Sequence, residues 1–167
     1  DEGNIILAIG KTEGHLDQSL FARTILDEKN GPPPEINLFN EKNNGETILK
    51  LISENYIKSA HDVSLGGIIL GVSKMCLKGN IGVELKKPKS LLSEFEYFFG
   101  EDQGRYIIEV AESDMKKVSN ILEKNAVHYD EIGVLRGNSI YFDEKTNVLI
   151  DELWTYNNNW LKEYMSN

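Results

Sequence analysis

Two short segments of the chain carry residue types that could do chemistry. In Ala60-His-Asp-Val-Ser-Leu-Gly-Gly67, an imidazole, a carboxylate and a hydroxyl precede a pair of glycines. The spacing predicts a strand that delivers His61 and Asp62 to its C-terminal end, then a tight turn that opens a helix. Such a junction offers free backbone N–H groups to an anion and lets the main chain approach a ligand closely. On that reading His61, Asp62, Ser64, Gly66 and Gly67 form a phosphate or nucleotide edge. The alternative is a turn whose glycines permit helix–sheet packing and whose Asp62 hydrogen-bonds local amides.

The second segment is Phe99-Gly-Glu-Asp-Gln-Gly-Arg-Tyr106. A glycine-bounded polar turn places Glu101, Gln103 and Arg105 at the start of a strand. Carboxylate, amide and guanidinium together could bind a polar small molecule or a metal-bound phosphate. Equally, Glu101 and Arg105 could be an ion pair that braces the turn. A third segment, Gly10-Lys-Thr-Glu-Gly-His-Leu16, has glycines and a lysine but lacks the Gly-Lys-Ser/Thr ending of a phosphate loop. His15 there reads as a capping or packing residue. One cysteine and three scattered histidines give no zinc spacing, and Cys76 on an apolar helix face reads as core. No residue of the chain is assigned as a catalytic group or a metal ligand.

The elements that must position these segments follow from periodicity. Ile5 to Ile9 is a continuous apolar run between glycines, the mark of a buried strand. A helix is expected over His15 to Leu26, then a proline-rich surface loop, then a helix from Gly45 to Asn55. Strands are expected over Ile57 to Val63, Ile81 to Leu85 and Arg105 to Val110. A helix over Ile68 to Leu77 separates the first two. A short helix from Leu91 to Phe99 turns Leu92, Phe95, Phe98 and Phe99 inward. Ser113 reads as the N-cap of a helix running to Asn125, with Met115, Val118, Ile121 and Leu122 on its buried face. His128 to Val134 and Ser139 to Phe142 read as a hairpin joined by Leu135-Arg-Gly-Asn138. After a strand at Val148 to Ile150, a closing helix from Glu152 to Met165 carries Trp154 and Trp160 as packing anchors; exposed, they would mark an interface instead. The expected fold class is α/β (α+β), one domain over residues 1–167 with a mixed β-sheet covered by helices.

Composition sets the wider limits. The chain has 167 residues, 40% hydrophobic and 27% charged, as soluble globular domains do. A formal charge of −9 makes nucleic acid and anionic membrane surfaces poor partners. No apolar run approaches the roughly 20 residues that span a bilayer. A lone cysteine fits a reducing, cytoplasmic setting. The chain opens with Asp1 rather than Met and runs at once into an apolar strand, the pattern expected of a domain cut from a longer protein, the alternative being a processed natural terminus.

The two motif segments, in this order and separation, resemble phosphoribosylformylglycinamidine synthases, members of the superfamily related to aminoimidazole ribonucleotide synthetase. Ala60 to Gly67 is similar to their His-Asp-Val-Ser-Asp-Gly-Gly-Leu stretch, and Phe99 to Tyr106 to their Phe-(Gly/Ser)-Glu-Ser-Gln-Gly-Arg-Tyr stretch. Gly14-His15-Leu16 and Ile132-Gly133-Val134 add support. Leu65 stands where the family usually has an acidic residue, and Asp17 and Gln18 where glycines are common. The resemblance implies the superfamily's C-terminal-domain fold, as the last of four domains in a synthase. That enzyme converts formylglycinamide ribonucleotide, ATP and glutamine-derived ammonia to the amidine, with Mg2+ offsetting phosphate charge. It implies catalysis in the other domains, and partners in the N-terminal domains, a glutaminase subunit and a small bridging subunit. Were Asn167 the natural terminus, the synthase would be of the small form, with those subunits as separate chains. By pseudo-symmetry residues 101–103 would match a substrate-contacting turn of the first half, and here would face a second, auxiliary site or simply support structure. Two alternatives are a non-catalytic assembly module and a thiamine-phosphate-kinase-like protein.

Overall fold

In the computed structural model, which describes residues 1–142 and 146–166 (Glu163 by its backbone alone), the apolar run Ile5–Ile9 is a central strand, β1. Asn167, considered above as a terminus, lies outside the described residues. The remaining elements are α1 (Leu20–Thr24), α2 (Leu38–Ser53), β2 (Ser59–Asp62), α3 (Gly67–Gly79), β3 (Val83–Leu85), α4 (Glu94–Phe99), β4 (Tyr106–Val110), α5 (Met115–Lys124), β5 (Tyr129–Leu135), β6 (Ser139–Tyr141), β7 (Asn147–Leu149) and α6 (Ile150–Ser166). The strands form one sheet in the order β2-β4-β1-β5-β3-β6-β7, antiparallel except for the β3–β6 pair.

Alternation along the central strands feeds two apolar layers. Ile6 and Ala8 of β1 and Ile107 of β4 face Ile68, Val72 and Cys76 of α3 and Phe98 of α4. Leu7, Ile9, Ile108 and Val110 face Ile48 and Leu51 of α2 and Val118 and Leu122 of α5. Helices thus cover both faces, which is why β1 reads as continuously apolar. Glu109, between the layers' edges, accepts hydrogen bonds from Asn4 Nδ2 (2.6 Å), Ser59 Oγ (2.7 Å) and the Asp1 amine (2.9 Å), tying β4 to the approach of β1 and to β2. No helix among the described residues is long and apolar enough to cross a membrane.

Several expected elements differ. The helix foreseen from His15 shrinks to Leu20–Thr24, because the amides of residues 13–15 bind a carboxylate and Gln18 adopts φ +60°. Helix α2 begins two turns before Gly45, capped by Asn37, whose side chain accepts from the Asn40 amide. Its first turns are polar, with Leu38 and Phe39 exposed, so they carry no helical stripe. Ser113 is not an N-cap: Glu112–Asp114 is a 3₁₀ turn, and α5 starts at Met115. Phe95 is 54% exposed rather than turned inward, whereas Phe98 is fully buried. Trp154 and Trp160 are both 58% exposed and anchor no packing within the chain.

The expected hairpin does not form. β3 lies between β5 and β6, antiparallel to one and parallel to the other. Gly82 makes this insertion possible. Its N–H donates to the Gly137 carbonyl (2.7 Å), its carbonyl accepts from Arg136 (3.0 Å), and any Cβ there would fall onto the backbone of Ser139.

Candidate functional site

The turn between α4 and β4 pins three other segments. Glu101 sends Oε1 to the Gly66 N–H (2.8 Å) and the Leu20 N–H (2.7 Å). Asp102 receives the N–H groups of Glu13 and Gly14 on Oδ2 and of His15 on Oδ1, each at 3.1 Å. Three consecutive amides on one carboxylate form a nest of the kind that usually receives an anion. Arg105, 2% exposed, donates Nε to the Asp102 carbonyl (3.1 Å), Nη1 to Thr12 Oγ1 (3.1 Å) and Nη2 to the Gly100 carbonyl (2.6 Å). Its Nη1 lies 3.6 Å from Asp102 Oδ2, so the bracing ion pair is with Asp102 rather than Glu101. Burial pulls the guanidinium below its ordinary pKa, and the Asp102 carboxylate opposes that pull.

The strand–turn–helix junction forms where expected, with β2 ending at Asp62 and α3 opening at Gly67. Two of its amides, expected free, are engaged. Gly66 donates to Glu101, and Gly67 donates to the Ser64 carbonyl (3.0 Å). The Glu101 carboxylate thus sits at the N-terminus of α3, where the helix dipole favours negative charge. Gly67 has φ +67°, and a Cβ there would lie 2.6 Å from the Phe98 carbonyl oxygen, so both conformation and close approach require glycine.

The polar side chains of the junction point outward. His61 is half-buried, with Nδ1–H directed at the Asp62 carbonyl 2.5 Å away and 3.5 Å from Asp62 Oδ1. Asp62, Ser64 and Leu65 are exposed. His61 lines a cleft of about 530 Å3 with Ser59, Met75, Cys76 and Glu109. Burial pushes the Cys76 thiol there up to about 12, so it stays protonated and unreactive. Gln103 is exposed and lines a separate cleft of about 890 Å3 with Gly10, Glu13, His15, Asn37, Asn40 and His128. The structure therefore brings Gly66, Gly67, Glu101 and Arg105 together at one junction, and sends His61 and Gln103 to different clefts.

Sequence reasoning missed Asp102 and Thr12, which complete this junction. The signal for Asp102 was an acidic residue inside a glycine-bounded turn, paired with a glycine-rich loop elsewhere that needed an acceptor. Among the described residues no cluster of three or more His, Cys, Asp or Glu side chains is placed to hold a metal ion.

This arrangement can be compared with known proteins. The family model described as AIR synthase related protein, C-terminal domain, matches residues 1–142. The chain belongs to this family. Its helix-covered mixed sheet is the fold of this AIR synthase-related domain, in agreement with the resemblance read from the two motifs. The chain is 64% identical over 164 residues to phosphoribosylformylglycinamidine synthase subunit PurL of Pelagibacter ubique, covering 98% of this chain and 22% of that protein. It is 35% identical over 164 residues to the same subunit of Rhodopseudomonas palustris (strain TIE-1), with the same coverage of 98% and 22%. The chain thus spans about 22% of the length of these curated relatives. Of solved structures, Thermotoga maritima PurL complexed with FGAR superposes with a TM-score of 0.75 at 20% identity, covering 90% of this chain and 28% of that one. T. maritima PurLQS gives 0.67 at 21% identity, covering 90% and 26%. These two likenesses establish the fold.

Proposed function

We propose that this chain is the C-terminal domain of a phosphoribosylformylglycinamidine synthase of de novo purine biosynthesis. That enzyme converts formylglycinamide ribonucleotide, ATP and glutamine-derived ammonia into formylglycinamidine ribonucleotide, ADP and phosphate. Identity of 64% over 164 residues with the P. ubique subunit carries this reading. In the full enzyme, phosphoryl transfer from ATP activates the amide oxygen, and ammonia then displaces phosphate. No residue of this domain takes part in either step. His61, Asp62 and Ser64, and separately Gln103 in its own cleft, are the polar contacts it offers to neighbouring domains, and Gly66, Gly67, Glu101 and Arg105 hold the two turns in place. Among the described residues no ligand cluster is placed to hold Mg2+, and no step here runs through the metal. The partners on this reading are the N-terminal domains of the same synthase, the glutaminase and the small bridging subunit, in the cytoplasm.

The test is an assay of a chain of the relatives' length that contains this segment. ADP is expected to form only when formylglycinamide ribonucleotide and ammonia are both supplied. Failure to form ADP with both present rejects the assignment.

One observation favours a second role within the same enzyme. The Gly66 amide and the amides of residues 13–15 are already bound to the chain's own carboxylates, as in a domain that supports its neighbours and binds no nucleotide. Titration of ATP followed by amide NMR separates the two roles. Shifts at His61, Gly66 and Gln103 support a ligand edge; none supports a scaffold.

A further inference from the structure

Helix α6 is held to the body by its first turn alone. Ile150 is buried and Leu153 packs against the core, whereas every side chain described from Trp154 to Ser166 is exposed. At helical spacing Trp154, Trp160, Leu161, Tyr164 and Met165 continue the half of the helix that Ile150 and Leu153 begin. Asp151, Thr155, Asn159 and Lys162 occupy the other half. Both tryptophans of the chain lie on this overhang, and the Trp160 and Tyr164 rings are 6.4 Å apart. An unpacked helix this short is marginal in water, and Thr155 with Asn157, Asn158 and Asn159 lowers its propensity further. Exposed aromatic residues gathered on one half of a helix, with Asn157 the single polar residue among them, are the kind of surface that marks a binding face.

We propose that the apolar half of α6 docks onto the polypeptide preceding Asp1 in a chain of synthase length, clamping this domain to the rest of the same molecule. The inference rests on the assignment to such a synthase. Three observations select this occupant. The curated relatives extend far beyond the matched span, which is 22% of their length, and on the C-terminal assignment proposed above that remainder precedes Asp1. Similarity to them runs over 164 residues and so through α6, although the family model ends at residue 142. The start of the chain also lies beside the base of the helix. Glu2 accepts the Gly137 N–H (3.1 Å), and the next residue, Asn138, accepts the Ile150 N–H (2.9 Å). A segment entering there meets α6 at an effective concentration of about millimolar. Two free copies, each with a formal charge of −9, repel one another instead.

Hydroxyl-radical footprinting of the synthase-length chain, read by mass spectrometry, tests this. Trp154, Trp160 and Tyr164 are expected to be protected at least about fivefold relative to the same chain unfolded in guanidinium, as buried interface anchors are. Their exposures of 58%, 58% and 73% correspond to protection under about twofold if α6 is free. Protection at that lower level overturns the proposal. So does protection that fades on dilution, which means a second copy, or that appears only when a separate subunit is added. Leu161→Asp, at an exposed position outside the site, is expected to return Trp160 and Tyr164 to the unprotected level while Phe98 stays protected; unchanged labelling of Trp160 and Tyr164 counts against docking. The ADP assay on the same sample keeps the two ideas apart. A protected helix in an inactive chain defeats the enzymatic assignment alone, and an unprotected helix in an active chain defeats the docking alone.

Discussion

Asp102 shows how a single carboxylate can occupy the place of a ligand. Its two oxygens take three consecutive amides of the Gly10–Leu16 loop, and the neighbouring Arg105 balances its charge under near-complete burial. Such a pair is costly to break because each partner would be left charged and unpaired. Asp102→Asn replaces one acceptor oxygen by a donor that faces N–H groups. The expected loss is about 2–3 kcal/mol in urea unfolding, with faster amide exchange confined to residues 13–15. A loss below about 0.5 kcal/mol would mean that water satisfies these amides equally well. Glu101 behaves alike at the start of α3. Its role was not legible in the sequence, which offered a ligand contact or an ion pair with Arg105, since nothing in a linear motif says whether a turn's carboxylate faces its own backbone amides.

Helix α4 separates what periodicity can and cannot tell at the scale of an element. Four apolar residues over Leu91–Phe99 predict an inward stripe, and Phe98 obeys it. Phe95 instead joins a surface cluster, its ring 5.6 Å from Phe21 and 6.0 Å from Phe99. Phe98→Ala is therefore expected to cost about 3–5 kcal/mol, and Phe95→Ala about 1 kcal/mol or less, by thermal or chemical unfolding. Comparable losses at both positions would refute this division. The strands, α3 and the buried face of α5 were readable because apolar spacing alone positions them. The β3 insertion was not, because the pairing of β5 with β3 depends on Gly82 and Gly133 meeting backbone across the sheet, a long-range contact that a local turn signal hides. The start of α2 was hidden for another reason: Asn37 caps a first turn that buries nothing.

Across the whole molecule, Glu109 links the sheet's centre to its β2 edge. Burial alone would push this carboxyl up, but in the 167-residue chain Asn4, the Asp1 amine and Ser59 outweigh it and hold it below its ordinary value of 4.5. In a chain that continues before Asp1 that amine becomes an uncharged amide and the lowering shrinks. A group more acidic when folded adds stability in full above pH 4.5, and that contribution is lost as pH falls below it. Glu109→Gln cannot ionise, so it is expected to be less stable than the parent at neutral pH. The difference should narrow below about pH 4 in unfolding curves collected across the acid range. A constant difference at all pH values would show that the carboxylate's charge plays no part.

The central place of β1 has a consequence for how the chain is made. β1 is synthesised long before β4 and β5, the two strands that flank it, and it pairs with residues as far away as Val134. During translation the run Ile5-Ile-Leu-Ala-Ile9 therefore waits, apolar on both faces and without a neighbour, until most of the domain has left the ribosome. The nascent domain thus exposes an unpaired apolar strand, a segment open to aggregation, while its two partner strands are still being made.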